Sequence, residues 1–403
     1  MDDLPVELLW TILREKVEPV DRVACKSVST LWRRILRTKR QRGHQAEKAY
    51  MAAAAQNGYL NVLQWARARG CRWDDRVCDG AAEGGRLEVL KWARANDCPW
   101  GRSACAEAAK RGHLRVVKWA RRNGCPWDAE VCHGAAAGGH LEVLKYARKN
   151  GCPWNAWTCV QAAAGGYLQV IEWATENDCP WGGTACAYAA AGGHLKVLRW
   201  ARKRGISWGK GVICAAAARG GRLSVLQWAR RNGCVWDEDT CSYAAEGGHM
   251  EVLEWAHENG CPWSERTCTG AARGGHLGVL KWARANGCRW NEGTCSRAAN
   301  YGHLEVLRWA RENGCPWDES TCSCAAEGGH LEVLKWAREN GCPWDEYTCV
   351  WAAEGGYLGM LQWARANGCP WDTRICAGAA ENGHTEVLEW AMANGCPRYA
   401  EEW

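Results

Sequence analysis

Residues 317–343 read WDESTCSCAAEGGHLEVLKWARENGCP, and this unit recurs along most of the 403-residue chain. Its Trp-Ala pair returns every 27 residues from Trp65 to Trp390, with a tyrosine at Tyr146 and one extra residue before Trp228. The pattern gives thirteen copies, and the extra residue falls within residues 208–214. Self-similarity at a fixed period of this length predicts an array of stacked repeats.

The residue pattern within each copy predicts two short helices joined by turns. Helix A, the first, runs through Thr-Cys-x-x-Ala-Ala and stops at a pair of glycines, while helix B carries an apolar arc from Leu331 to Ala337. Asp318 and its counterparts stand where an N-cap accepts a hydrogen bond from a free backbone amide. The turn after helix B contains Gly341, a C-cap residue, and Pro343, which prevents the helix from continuing.

Stacking must supply the stability, because a hairpin of 27 residues cannot bury that apolar arc alone. On a helical wheel Cys322, Ala325 and Ala326 share one narrow face, and such small residues allow helices to approach closely. The twelve loop tryptophans from Trp73 to Trp371 are expected to lie against the next copy. The sequence therefore predicts an all-α fold, an α-solenoid of about 13 helix-turn-helix repeats.

The stretch Ala-Ala-x-x-Gly-His-Leu-Glu-Val-Leu resembles the ankyrin repeat, and its core is present in nearly every copy between residues 45 and 397. The copies depart from that family in their period of 27 rather than about 33 residues. They also have Thr-Cys in place of Thr-Pro-Leu-His, and Asn-Gly-Cys-Pro-Trp in place of the longer β-turn finger. The resemblance implies a non-enzymatic array that binds a target protein on a concave surface lined by A helices. We place this ankyrin-like solenoid at residues 44–397 and a tail at 398–403.

Residues 1–43 fall outside the period and predict a small helical domain. Leu-Pro-x-Glu-Leu-Leu-x-x-Ile-Leu at residues 4–13, followed by Val28 and Trp32, resembles an F-box, although residues 14–17 form a longer and more polar link than that family has. The resemblance implies docking on a Skp1-like adaptor, which links a substrate-binding domain to a cullin-RING ubiquitin ligase. The adaptor-binding face would consist of Leu4, Pro5, Leu8, Leu9, Ile12, Leu13, Val28 and Trp32.

The combination of an F-box-like segment with ankyrin-like repeats is similar to host-manipulating proteins of large DNA viruses. The alternative is a plain ankyrin scaffold in which residues 1–43 are a cap that shields the first repeat, since solenoids need polar-faced ends.

The 26 cysteines raise a second alternative, a thiol-based metal or redox protein, because a Cys-x6-Cys pair recurs from Cys71/Cys78 onward. A zinc site needs four converging ligands, whereas each copy has two cysteines. Ile206 and Met51 replace cysteines in two copies, a change that a buried apolar thiol tolerates and a metal ligand does not. We therefore interpret the thiols as packing residues and expect no metal and no cofactor.

Composition excludes several classes of protein. A net charge of +6 is too mild to argue for nucleic acid, and the basic run from Arg33 to Arg42 also suits a solvated face or a nuclear-import signal. The sequence has no stretch of about 18 apolar residues, and the start lacks the features of a secretory signal. We expect an intracellular protein of the cytoplasm or nucleus, and the viral resemblance adds a host cell as its setting.

Function should lie where the copies differ. On helix A, the positions two before, two after and five after the cysteine form one stripe that faces away from the packing face, and their residues vary from copy to copy. We call this the A-helix stripe. Exposed aromatic and charged residues of this kind are typical of binding hot spots. The predicted target-binding residues are Trp157, Gln161, Tyr188, Tyr243, Arg266, Tyr347 and Trp351.

Overall fold

The computed structural model describes residues 43–68, 70–101, 103–208 and 211–396. Within these ranges every regular element is an α-helix, and A helices with odd numbers alternate with B helices with even numbers. Residues 1–42 of the predicted F-box-like segment, with all eight adaptor-binding residues, and the predicted tail lie outside the described residues. The helices are α1 Gly43–Asn57, α2 Leu60–Ala68, α3 Arg76–Glu83, α4 Leu87–Ala95, α5 Ala104–Lys110, α6 Leu114–Arg122, α7 Ala129–Ala137, α8 Leu141–Lys149, α9 Ala156–Ala164, α10 Leu168–Glu176, α11 Ala185–Gly192, α12 Leu195–Lys203, α13 Val212–Arg219, α14 Leu223–Arg231, α15 Glu238–Glu246, α16 Met250–Glu258, α17 Glu265–Gly274, α18 Leu277–Ala285, α19 Glu292–Asn300, α20 Leu304–Glu312, α21 Glu319–Glu327, α22 Leu331–Glu339, α23 Glu346–Glu354, α24 Leu358–Ala366, α25 Arg374–Glu381 and α26 Thr385–Ala393.

The described helices form two units. The first holds the described residues up to Ala162 together with Glu172–Pro180, and the second holds Ala163–Ile171 and the described residues from Trp181 onward. In the first unit α3 packs between α1 and α5, and α5 packs against α7. In the second unit each A helix from α13 to α23 packs between the A helices of the copies before and after it. The predicted fold class, an α-solenoid of helix-turn-helix repeats, is confirmed within each unit.

The core of each copy consists of the small and branched residues that the period predicts. On α21 the side chains of Cys322, Ala325 and Ala326 have no exposed surface, and on α22 the same holds for Leu334 and Ala337. Small side chains on helix A let neighbouring A helices pack closely, while the leucine of helix B fills the space beneath them. The predicted packing face of both helices is therefore confirmed.

The predicted capping bond forms in only some copies. The side chain accepts a hydrogen bond from the amide two residues later at Asp74, Asp128, Asn155, Asp318, Asp345 and Asp372. At Asp237, Ser264 and Asn291 the backbone is extended as it is at Asp128, Asp318 and Asp345, but the side chain makes no capping bond, so the prediction was wrong there. The Ser264 hydroxyl instead donates to Glu238 at 2.6 Å.

The glycine two residues before the start of helix B adopts a left-handed backbone in every copy, as at Gly302 with φ +76°. This conformation is costly for other residues, which explains why glycine does not vary at this position. A Cβ atom built on Gly302 would lie 2.6 Å from the ring of His330, in the following copy. Glycine is thus required at this turn both by the left-handed backbone and by the close approach of a side chain from the next hairpin.

Candidate functional site

Each loop tryptophan pairs with the aromatic residue on helix B of its own copy, whereas the sequence had predicted a contact with the next copy. Trp344 packs edge-on against Trp363 of the following helix B, with ring centroids 5.9 Å apart. All twelve loop tryptophans have an aromatic partner, edge-on in nine pairs and tilted in three, with centroid distances between 5.2 and 6.3 Å. Edge-on aromatic pairs add stability beyond the area that they bury. The side of each hairpin that carries the loop tryptophan therefore stabilises the array.

An arginine on helix B of the preceding copy contacts the same ring and so joins consecutive copies. The Arg338 guanidinium lies 4.0 Å from the centroid of Trp344, a cation–π contact, and also donates a hydrogen bond to the Cys342 carbonyl. His257 takes this place in one copy, where its ring stacks on Trp263 at 3.9 Å. Equivalent arginines lie 4.0 to 5.0 Å from their tryptophans at Arg67, Arg94, Arg121, Arg148, Arg202, Arg230, Arg284, Arg311 and Arg365.

The histidines of the Gly-His turns also connect copies. The Nε2 atom of His303 lies 3.0 Å from the carbonyl oxygen of Arg273, which is near the end of the preceding helix A. Arg222 replaces histidine in one copy, and its Nε donates to the Ala191 carbonyl at 3.0 Å. This position therefore ties the start of each helix B to the end of the preceding helix A. The same contact recurs at His113, His194, His249 and His384.

The close thiol pairs are not the Cys-x6-Cys pairs of the sequence. Cys214 of helix A hydrogen-bonds Cys234, which follows helix B of the same copy. The bond from Cys214, aided by Arg230, lowers the pKa of Cys234 to about 7, although burial opposes the shift. The same bond and burial raise the pKa of Cys214. Each pair thus joins the two ends of one hairpin.

Cys186 has no sulfur partner, because Ile206 occupies the matching position of its copy. Burial raises its pKa to about 11. In most other copies the thiol after helix B also donates a hydrogen bond to the backbone, as Cys342 does to the Asp318 carbonyl at 3.4 Å. The thiols are buried packing residues, as predicted, and many are hydrogen-bond donors as well. Within the described ranges, no group of three or more His, Cys, Asp or Glu side chains is arranged to hold a metal ion.

The predicted target-binding residues lie on the A-helix stripe with different degrees of exposure. Trp157, Tyr188 and Tyr347 are 42%, 44% and 45% exposed, and Arg266 is also exposed. The remaining three, Gln161, Tyr243 and Trp351, are half-buried. Not every stripe position is free for binding, however, because Gly270 is buried where its helix approaches the Ser242 carbonyl.

Some of these residues meet across neighbouring copies. The Arg266 guanidinium forms an ion pair with Asp239 at 2.7 Å. Tyr243 lies beneath Arg219, with 4.7 Å between the guanidinium carbon and the ring centroid, and Tyr347 lies beneath Arg374 at 4.4 Å. The bonds of Arg374 to Asp372 and Tyr347 raise its pKa, so it stays charged.

Of the arginines on the stripe, sequence reasoning singled out only Arg266 as a target-binding residue, and it did not predict the ion pairs that these arginines form. Opposite charges one period apart, such as Glu246 and Arg273, lie on adjacent A helices and form an ion pair at 3.5 Å. Tyr301, 28 residues after Arg273, accepts a hydrogen bond from it at 3.0 Å and is 42% exposed. The signal that could have found these pairs was the period itself, applied to charged residues.

The chain was compared with known proteins. Residues 295–338 match the family model described as ankyrin repeats in many copies. A search of the curated proteins found no match. Within the described parts of the chain, no helix is long and apolar enough to cross a lipid bilayer.

Among solved structures, the chain is similar to the human ASB11 ankyrin repeat domain, with 17% identity, a TM-score of 0.32, and coverage of 39% of this chain and 84% of that one. It is also similar to the pentatricopeptide repeat protein PPR10 from maize, with 14% identity, a TM-score of 0.31, and coverage of 98% and 72%. The same comparison with PPR10 in complex with an 18-nt psaJ RNA element gives 12% identity, a TM-score of 0.34, and coverage of 98% and 70%. The match at residues 295–338 is to ankyrin repeats, which indicate a protein–protein interaction module.

Proposed function

We propose that this protein is the substrate-recognition subunit of an SCF-type cullin-RING ubiquitin ligase. In this proposal residues 1–43 bind a Skp1-like adaptor and the A-helix stripe holds a target protein. The observation that carries it is the pairing, in one chain, of an F-box-like segment with repeats whose exposed stripe varies while the rest of each copy is nearly constant. We also propose that the protein acts in the cytoplasm or nucleus, and that it is a viral protein directed at a host cell.

The division of labour within each repeat supports the target-binding half. The loop tryptophan, the turn histidine and the buried thiols contact neighbouring parts of the array. Tyr347 also contacts Arg374 of the next copy, but 45% of its surface stays exposed to solvent. Exposed aromatic side chains of this kind are enriched in protein-binding hot spots.

The adaptor-binding half is tested by a pull-down with the full chain and a purified Skp1-type adaptor. The double variant Leu9→Asp/Trp32→Ala should lose the adaptor, because it changes two residues of the predicted apolar face. A matched variant on the stripe, Tyr347→Ala/Trp351→Ala, should retain it. Circular dichroism of each variant verifies that the repeats remain helical.

Equal retention of the adaptor by the wild type and by Leu9→Asp/Trp32→Ala would contradict the proposal, and so would no retention by either. The scaffold alternative then applies, in which residues 1–43 only cap the repeats. Under that alternative, deletion of residues 1–43 lowers the melting temperature but leaves every binding partner unchanged.

A further inference from the structure

The A-helix stripe changes sign along the second unit. Its basic part comprises the stripe of α13 to α19, where the arginines outnumber the acidic residues. Its acidic part comprises the stripe of α21 to α25, where the glutamates outnumber the arginines. The basic part carries Arg219, Arg266, Arg273 and Arg297 with Asp239 and Glu246, and the acidic part carries Glu327, Glu354 and Glu381 with Arg374.

A shared carboxylate organises the basic part. Glu246 forms ion pairs with Arg219 at 3.6 Å and with Arg273 at 3.5 Å, so one negative charge serves two positive charges. Each guanidinium also lies over a tyrosine ring, Arg219 over Tyr243 at 4.7 Å and Arg273 over Tyr301 at 5.2 Å. These contacts hold the two arginines in place while leaving donors of each guanidinium unused. The cluster is therefore pre-organised and keeps a net positive charge.

Arg297 adds an unpaired charge beside this cluster. It is exposed on α19, the next A helix after the one that carries Arg273. Within residues 211–396 it forms no ion pair, whereas Arg219 and Arg273 both do. An exposed guanidinium with a free planar edge can bind a carboxylate through two parallel hydrogen bonds.

We propose that the stripe of the second unit binds an extended acidic segment of a target protein, with its Asp or Glu side chains on Arg219, Arg273 and Arg297. The segment becomes basic where it crosses Glu327 and Glu354. The inference rests on the proposed function only in taking the stripe as the target-binding surface. It adds the chemistry of the target, an acidic stretch followed along the stripe by a basic one.

A nucleic acid fits this surface less well. Its backbone carries one negative charge per nucleotide without change of sign. A strand that followed the stripe would face Glu246 within the basic part and then Glu327, Glu354 and Glu381. A peptide can reverse its charge within a few residues, and Tyr243 and Tyr301 offer it aromatic surface between the arginines.

Selection of random 12-residue peptides displayed on phage tests the proposal with the full chain as bait. We compare the wild type with the stripe variant Arg219→Glu/Arg273→Glu/Arg297→Glu. The matched control is Lys196→Glu/Arg199→Glu/Lys203→Glu, which makes the same change of net charge at three exposed positions of α12. The melting temperature of every variant is measured, and an Arg→Gln triple at the stripe positions replaces the Arg→Glu triple if the latter unfolds.

We expect the wild type and the α12 control to enrich acidic peptides, and the stripe variant to enrich neutral or basic ones. The affinity of a selected acidic peptide should fall about tenfold in the stripe variant, because three charge pairs are lost. Failure of the wild type to enrich acidic peptides would overturn the proposal, and so would an equal loss in the α12 control. Tighter binding of a 12-nucleotide single strand than of any selected peptide, abolished by the stripe variant, would assign the surface to nucleic acid instead. None of these outcomes depends on the adaptor, so the ligase proposal can fail while this one stands.

Discussion

Each repeat of this protein has a constant side and a variable side. On the constant side, the loop tryptophan, the arginine above it and the turn histidine make the same contacts in copy after copy, as Trp344 does with Arg338 and Trp363. On the variable side, the equivalent stripe position holds Tyr243 in one copy, Gly270 in the next and Arg297 in the one after. The difference shows that packing between copies limits the choice of residue on one side and leaves it open on the other.

The two sides also use arginine differently. On the constant side Arg338 lies 4.0 Å from an indole centroid and hydrogen-bonds the backbone of its own copy. On the variable side Arg273 bridges a glutamate of the preceding copy and a tyrosine of the following one. An arginine of the first kind stabilises the array, whereas one of the second kind presents charge to solvent. Substitutions on the two sides should therefore separate stability from binding.

The largest effect on stability is expected at the turn glycine. Gly302→Ala places a methyl group in a left-handed backbone and 2.6 Å from the His330 ring. We expect a loss of about 2–4 kcal/mol in the free energy of unfolding, of which the backbone conformation alone accounts for about 1–2 kcal/mol. Urea unfolding of the full chain measures the loss.

Gly383→Ala is the matched control for this prediction. Gly383 has the same backbone, φ +73°, but apart from its chain neighbours no heavy atom lies within 4 Å of the position that the added methyl group would occupy. We expect Gly383→Ala to lower the free energy of unfolding by only about 1–2 kcal/mol, which is the cost of the left-handed backbone conformation. Equal losses at Gly302 and Gly383 would mean that the histidine of the next copy does not restrict this glycine.

An aromatic residue on each side of the hairpin gives the next comparison. Trp344→Ala removes an edge-on contact with Trp363 and a cation–π contact with Arg338, and should cost about 2–3 kcal/mol in the free energy of unfolding. Tyr347→Ala, three residues later on the stripe, should cost only about 0.5–1 kcal/mol, because the substitution removes an exposed cation–π contact with Arg374. The urea midpoints of the two variants, measured under the same conditions, compare these costs. A cost at Tyr347 equal to that at Trp344 would remove the distinction between the two sides.

The smallest effect concerns thiol chemistry within the constant side and leaves the fold intact. Alkylation requires the thiolate, so the labelling rate of a cysteine rises as the pH passes its pKa. Labelling of Cys234 should therefore rise through about pH 7, whereas Cys186, with a pKa of about 11, should stay nearly unreactive up to about pH 9. Mass spectrometry of peptides after brief exposure to iodoacetamide reports both sites.

Cys214→Ala provides the control for this titration. It removes the thiol that hydrogen-bonds Cys234, so the pKa of Cys234 should rise and its labelling should shift to higher pH. Labelling of Cys186 should not change. If the Cys234 profile is the same in both proteins, the hydrogen bond within the pair is not what lowers its pKa.

The period predicted the fold because one repeat contains nearly all the information that its packing needs. Small residues such as Cys322 and Ala325 marked the buried face of helix A, and the position of Trp344 marked the junction. What the period did not predict was the pairing of thiols, because Cys214 and Cys234 meet through the return of the chain along helix B. The missing cap at Ser264 has a similar reason, since a glutamate of another copy competes for its hydroxyl.

The sequence predicted which positions of helix A are exposed, but it did not predict the contacts between their side chains. Helical geometry placed Trp157, Tyr188 and Tyr347 on the exposed faces of their own A helices, and their exposure agrees with it. The pairs that organise the stripe, such as Glu246 with Arg273, join different copies and require the alignment of one hairpin on the next. Binding of a target by these residues, and of an adaptor by residues 1–43, stays a prediction.

The reach of the turn contacts bears on how such a gene can change in length. His303 bonds a carbonyl group 30 residues earlier, and Arg222 one that is 31 residues earlier, so each hairpin depends on its immediate neighbour. A duplication or deletion of one whole period in the DNA would restore the same junction on either side of the break. Recombination between copies can thus lengthen or shorten the protein while every hairpin keeps the same kind of contact with its neighbour. Each such event also changes the order of the exposed residues along the A-helix stripe.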